Sequence, residues 1–195
     1  MAEVVAKPLA AELFQLNGIS RRQIEEHYTL YQGYVNKTNE IRSKLEAVDR
    51  SKANQTFSEV RELKVELSFA WNGVKLHEAY FDNLGGGGGK PTGKLLQAIE
   101  TNFGSYESWL EDLKASGLSA RGWVVDAWDQ DDGRIYNYVA DAHNSHGIWR
   151  AVPLLVLDTY EHAYMIDYGV KRAPYIDAFV NNINWEAVVK RLDEI

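Results

Sequence analysis

Five consecutive glycines, Gly85–Gly89, divide this chain. Nothing else in the sequence limits the fold so strongly, because such a run cannot hold a helix and brings no side chains to a core. It reads as a flexible tether between two halves of different character. A phosphate-cradling loop would want a preceding strand and a lysine at set spacing, and no such strand precedes it. Before the glycines the pattern is helical. Ser20 is a good N-cap with Gln23 three residues on, as in a capping box. Ile24, His27, Tyr31, Tyr34, Thr38, Ile41 and Leu45 then follow helical spacing, which predicts a long helix from about Ser20 to Ala47. Asp49 to Gln55 is polar and reads as a turn. Val60, Leu63, Leu67, Trp71, Val74, His77 and Phe81 mark a second helix that ends at the glycines.

The second half is mixed. Thr92–Thr101 and Ser105–Ser116 read as shorter helices. Gly122–Trp128 is strand-like, Asp132-Gly133 signals a hairpin turn, and Ile135–Val139 is the returning strand. Val152–Leu157 is a short buried strand, and helical segments follow at Ala163–Tyr168, Tyr175–Asn182 and Trp185–Leu192. The class is therefore α+β: a long antiparallel helical hairpin over residues 1–86, then residues 90–195 with a small antiparallel sheet of three strands.

Composition narrows the chemistry. With 45% apolar and 25% charged residues in 195, the chain has the balance of a globular protein. No apolar run reaches bilayer length, and no leader pattern opens the sequence, so a cytoplasmic protein without a membrane partner is expected. A net charge of -7 argues against nucleic acid as partner. The absence of cysteine removes disulfides, thiolate metal sites and thiol nucleophiles together. Five histidines remain as candidate ligands or bases.

His27 and His77 both fall on apolar faces of long helices. One such histidine is more often a satisfied core residue. Two helices each turning one inward is a less ordinary coincidence, and helical bundles build metal sites this way. Asp158 and His162 are four apart, a spacing that brings two side chains to one side of a helical turn. Asp158 also ends a buried apolar run, where an unpaired carboxylate is costly, although it can equally cap the next helix. The four make a set of three imidazoles and one carboxylate suited to iron, manganese or zinc and not to calcium. His143 and His146 lie in a loop before Pro153, and from spacing alone they read as solvated.

At this point the sequence resembles the iron/manganese superoxide dismutases. Leu157-Asp158-Thr159-Tyr160-Glu161-His162-Ala163-Tyr164 is similar to their D-x-W-E-H-A-Y signature, with Tyr160 in place of tryptophan. Ile24–Tyr28 and Leu76–Phe81 resemble the segments that carry their first two ligands. Pro91-Thr92-Gly93, Phe103-Gly104-Ser105, Gly122-Trp123, Tyr175–Phe179 and Asn184-Trp185 fall in family order, so the match runs from about Ile19 to Trp185. The resemblance implies a helical hairpin and an α/β domain with one iron or manganese ion per subunit between them. It carries His27, His77, Asp158 and His162 over as ligands and superoxide as substrate. It implies a homodimer or higher oligomer in which Glu161 of one subunit reaches His162 of the other, with Tyr164 beside that bridge. Tyr34 corresponds to the family's tyrosine at the substrate funnel and Arg172 to its funnel arginine.

The departures are specific. Tyr34 follows His27 by one residue fewer than in the family, and Tyr31 takes the place of a histidine four after that ligand. One residue turns a helix face by about 100°. An unbroken helix therefore re-aims Tyr34, unless the family's helix carries a π-bulge that this segment lacks. The family's glutamine near the metal has two sources. One, four before the second ligand, is Gly73 here; the other lies in the loop of His143 and His146, where some members carry histidine. His143 aligns better, and His146 takes the place if the loop is shifted. Phe81, Val125 and Tyr160 replace tryptophans that wall the site, which would widen the funnel. A metal-binding protein of the same fold without dismutase activity, a metal store or an oxidoreductase on a larger substrate, is the alternative reading.

Overall fold

The computed structural model describes residues 2–195. Two long helices form the first layer, α1 (Arg21–Ala47) and α2 (Glu59–Asp82), packed as an antiparallel hairpin with a short 3₁₀ turn at Arg50–Lys52 between them. Ser20 caps α1, its Oγ accepting from the Gln23 N–H at 3.1 Å. The capping box is only half formed. The buried Gln23 side chain leaves the helix end, donates to the His162 carbonyl at 2.5 Å and accepts from the Ile166 N–H at 3.0 Å. The Ser20 N–H is taken by Asp167 at 2.7 Å instead.

The second layer contains α3 (Gly93–Phe103), α4 (Tyr106–Ser119), the strands β1 (Trp123–Asp129), β2 (Arg134–Ala140) and β3 (Ala151–Asp158), and then α5 (Met165–Tyr168), α6 (Arg172–Asn181) and α7 (Trp185–Asp193). The three strands form one antiparallel sheet in the order β2-β1-β3, with Trp123 opposite both Ala140 and Asp158. A register shift between Asp126 and Ala127 coincides with Pro153 on β3, an edge strand where a residue without an N–H is tolerated. The edge of β3 is partly covered. Asn83, which caps α2, accepts from the Val156 N–H at 2.8 Å and donates to the Leu154 carbonyl. No helix among the described residues is long and apolar enough to cross a membrane.

Two sequence expectations change. The expected helix over Ala163–Tyr168 is a 3₁₀ turn at Glu161–Ala163 followed by the single turn of α5, because Tyr164 leaves the helical region at φ -146°. The glycine run is not a loose tether. Gly86 donates to the Asn182 carbonyl at 3.1 Å and Gly88 to the Ile183 carbonyl at 3.2 Å, next to a bridge between Leu84 and Ile183. A Cβ on Gly86 would lie 2.3 Å from the Ile183 carbonyl oxygen, so only glycine lets the two backbones meet. The run cannot pack side chains, but it packs as backbone. It fixes the end of α2 against the segment between α6 and α7.

Candidate metal centre

Four elements converge on one point. α1 brings His27, α2 brings His77, the end of β3 brings Asp158, and the following 3₁₀ turn brings His162. One ligand-type atom from each lies within 4.8 Å of all the others. Asp158 Oδ2 is 3.0 Å from His27 Nε2, 2.9 Å from His162 Nε2 and 3.7 Å from His77 Nε2. His27, His77 and Asp158 are fully buried, while His162 is about a quarter exposed. The pair four residues apart meets across a strand end and a 3₁₀ turn rather than on one α-helical face. Asp158 does not cap the helical turn that follows, which starts after Tyr160 without a side-chain cap. Its Oδ1 accepts from the Tyr160 N–H at 2.9 Å in a local turn, which leaves Oδ2 aimed at the histidines.

The donor set fits a cation. His77 Nδ1–H donates to the Gly73 carbonyl at 2.6 Å, which fixes the neutral tautomer with a lone pair on Nε2. That Nε2 is buried and has no hydrogen-bond partner. An orphaned buried acceptor costs about 1–3 kcal/mol, and a metal ion would remove that cost. Burial pushes His77 down to about 3 and also lowers His27, so both rings are neutral at pH 7, the form that binds metal. Burial works against the Asp158 carboxylate as well, but His162 and His27 beside it hold it well below the usual range. For His162, burial opposes the charge and Asp158 outweighs it, so its value is raised.

Aromatic rings enclose the cluster. Phe81 lies 5.2 Å from His27 between ring centroids, Trp123 is edge-on to His77 at 5.1 Å, and Tyr160 stacks on His162 at 5.2 Å. Tyr31 is buried; its hydroxyl donates to Glu78 and accepts from the Lys7 N–H, both at 2.9 Å, tying the N-terminal segment to the hairpin.

Tyr34 and His143 meet beside this cluster. α1 is unbroken α-helix, and Tyr34 stands seven residues after His27, close to two full turns. The shorter segment therefore returns Tyr34 to the face of His27, with its hydroxyl 2.7 Å from His143 Nε2. Its ring fills the space above Gly73, where a Cβ would sit 3.0 Å from ring atoms. His143 is buried, against the spacing-only expectation of a solvated ring, and its Nδ1 accepts from the Trp123 indole N–H at 2.9 Å. Burial pushes it down to about 4. His146 is exposed at φ +59°, its Nδ1 turned back to the Asp141 N–H at 3.4 Å, and it does not join the cluster.

The remaining candidates sit at the rim. Glu161 is exposed. Tyr164 is buried and stacks on Tyr175 at 5.1 Å. Arg172 donates to the Ala120 carbonyl at 2.5 Å and to the Tyr164 hydroxyl at 3.3 Å, so its guanidinium is tied to the end of α4. Val125 and His143 line a cleft of about 190 Å³ together with Ser145, His146 and Ile148. The sequence gives Trp123 and Tyr175 no role beyond their places in the family order. The Tyr175 hydroxyl donates to the Asp158 carbonyl at 2.7 Å and anchors the ligand-bearing strand end. The signal for Trp123 was present: an aromatic next to Gly122 at the start of a buried strand.

Comparison with known proteins agrees with this geometry. Residues 91–191 match the model of the C-terminal domain of iron/manganese superoxide dismutases. The chain is 48% identical over 184 residues to a superoxide dismutase [Fe] of Aquifex aeolicus, covering 92% of this chain and 86% of the relative. It is 41% identical to a superoxide dismutase [Fe] of Cupriavidus metallidurans, covering 95% and 94%. It is 32% identical to a superoxide dismutase [Mn] of Haloarcula marismortui, covering 86% and 82%.

Proposed function

The chain belongs to the iron/manganese superoxide dismutase family, and from that premise we propose that His27, His77, Asp158 and His162 hold its metal ion. The activity is disproportionation of superoxide to O2 and H2O2 with iron or manganese. The observation that carries the ligand assignment is the buried, partnerless His77 Nε2 aimed at a carboxylate shared by two further imidazoles. Iron or manganese held by these four residues would supply one-electron redox chemistry. The protein must supply two protons per cycle and admit a small anion. Three imidazoles, which must be neutral to ligate, and a single carboxylate would leave a bound divalent or trivalent cation a net positive charge, which attracts an anion even in a protein of net charge -7.

Proton supply falls to Tyr34 and His143. The Trp123 indole can only donate, so His143 Nδ1 must accept. The neutral ring then carries its proton on Nε2 and donates it to the Tyr34 oxygen. Tyr34 is thereby left with its own hydroxyl proton free to point at substrate. Burial, with Tyr160 and Asp158 nearby, pushes Tyr34 up to about 12, so it stays a proton donor at neutral pH. Trp123 acts through His143 and is a positioning residue.

One finer point belongs to the same reading. A second copy of the chain covers the surface around Glu161, which reaches the partner's ligand histidine and fixes its orientation. In support, Glu161 is exposed beside His162, and the segment after it leaves Met165 at 50%, Ile166 at 44% and Val170 at 82% exposure. Sedimentation of the metal-loaded protein tests this: a monomer at micromolar concentration contradicts it. The ligand assignment is tested by metal content of His77→Ala, which is expected to fall to background; full occupancy would overturn it.

A further inference from the structure

Asp126 is a buried carboxyl that the metal chemistry does not use. It lies in the middle of β1, only 2% exposed, on a strand otherwise built of apolar and aromatic residues apart from its last, Asp129. Its Oδ2 accepts from the Trp109 indole N–H of α4 at 2.7 Å. Directly across the sheet in register stands Asn137 of β2, and residues opposite each other in an antiparallel pair share a face. The Asn137 amide is oriented by Asp112 of α4, to which its Nδ2–H donates at 2.8 Å. Asn137 Oδ1 is consequently the free end of that amide, and it is buried with no hydrogen-bond partner. An acceptor in that position needs a donor, and an ionised carboxylate has none to offer.

We propose that Asp126 is held as the neutral carboxylic acid and donates its proton to Asn137 Oδ1, forming a proton-dependent clamp between the sheet and α4. The chain of bonds then runs in one direction: Trp109 to Asp126, Asp126 to Asn137, and Asn137 to Asp112. Each donor meets an acceptor and no buried polar atom in the chain is left over. The groups around Asp126 favour the neutral form. α4 presents the Asp112 carboxylate, a like charge, together with Trp109. β3 presents Leu155 at the register position, and Trp185 of α7 lies tilted against Trp109 at 5.6 Å between ring centroids. Burial, followed by the Asp112 charge, pushes Asp126 up to about 7 despite the Trp109 bond. This clamp is independent of the metal assignment and can fail without affecting it.

The consequence is a stability that declines as pH rises. In the unfolded chain an aspartate titrates near ~3.9. Between that value and about 7 the folded chain keeps a proton that the unfolded chain has lost. Stability then falls with rising pH by about tenfold in the folding constant per pH unit, and levels off above the folded value. The test compares metal-loaded wild type with Asp126→Asn by denaturant unfolding between pH 5 and pH 7. The amide keeps the Trp109 acceptor and the donor to Asn137 but cannot ionise. Wild type is expected to lose about fiftyfold more of its folding constant over those two units than the variant does, the slope halving at the folded value. Infrared spectra supply a second readout that does not depend on the variant's stability. Wild type at pH 6 should show a carboxylic-acid C=O band that Asn137→Ala shifts upward by removing its acceptor. Equal pH dependence in wild type and Asp126→Asn, or a wild-type spectrum without that band, would overturn the proposal.

Discussion

Replacing Trp123 with phenylalanine removes the one donor that fixes the His143 tautomer. The indole is fully buried and its N–H is 2.9 Å from His143 Nδ1. Losing that bond leaves a buried ring nitrogen unsatisfied, at about 1–3 kcal/mol. The smaller ring adds a void worth about 1 kcal/mol. Trp123→Phe should therefore be destabilised by roughly 2–4 kcal/mol while its metal content stays that of wild type, since the ligands are untouched. The effect on turnover follows from the proton. With the indole gone, the two neutral tautomers of His143 become comparable. In the second tautomer Nε2 accepts from Tyr34 and ties up the proton that substrate needs. Population alone removes about half the turnover, while the loss seen in Tyr34→Phe sets the upper bound because the relay runs through that hydroxyl. The double variant Trp123→Phe/Tyr34→Phe should be no slower than Tyr34→Phe alone, a non-additive pair. Superoxide decay by stopped flow measures the rates, and nitrogen NMR of the diamagnetic zinc-loaded protein reads the tautomer. Additive losses, or an Nδ1–H signal for His143 in wild type, would refute the reasoning.

Three further outcomes are expected. His77→Ala should lose the metal and unfold at lower temperature, with about 2–4 kcal/mol lost from the vacated buried volume alone, read by metal analysis and calorimetry. Tyr34→Phe should slow turnover by roughly tenfold or more at unchanged metal content; unchanged turnover would mean that its hydroxyl does not serve substrate. Gly86→Ala should cost about 1–3 kcal/mol or more, because its Cβ would meet the Ile183 carbonyl oxygen at 2.3 Å, and a melting temperature equal to wild type would show that the glycine contact is dispensable.

Much of this architecture is legible in the sequence because periodicity carries it. The 3.6-residue spacing that places Ile24 and Val74 in the core also turns His27 and His77 inward. The Asp132-Gly133 turn and the apolar run before Asp158 give the sheet. What periodicity cannot carry is contact between distant backbones. Gly85–Gly89 looks like slack in one dimension, and only the approach of residues 181–184 shows why side chains are absent there. Loops are illegible for a related reason. His143 and His146 are three apart in the same polar stretch, yet one is buried under Trp123 and Tyr34 and the other faces solvent. Nothing local distinguishes them; the partners that do come from β1 and α1. Gln23 shows the same limit. Its sequence context supports a cap, and tertiary demand from the Glu161–Ala163 turn takes its side chain instead.

The most direct test of the central claim is metal content of the purified protein, paired with superoxide dismutation after separate reconstitution with iron and with manganese. The account predicts close to one ion per chain and dismutation with at least one of the two metals, both abolished in His77→Ala. Full loading with no dismutation by either metal, or activity that survives the loss of His77, would contradict it.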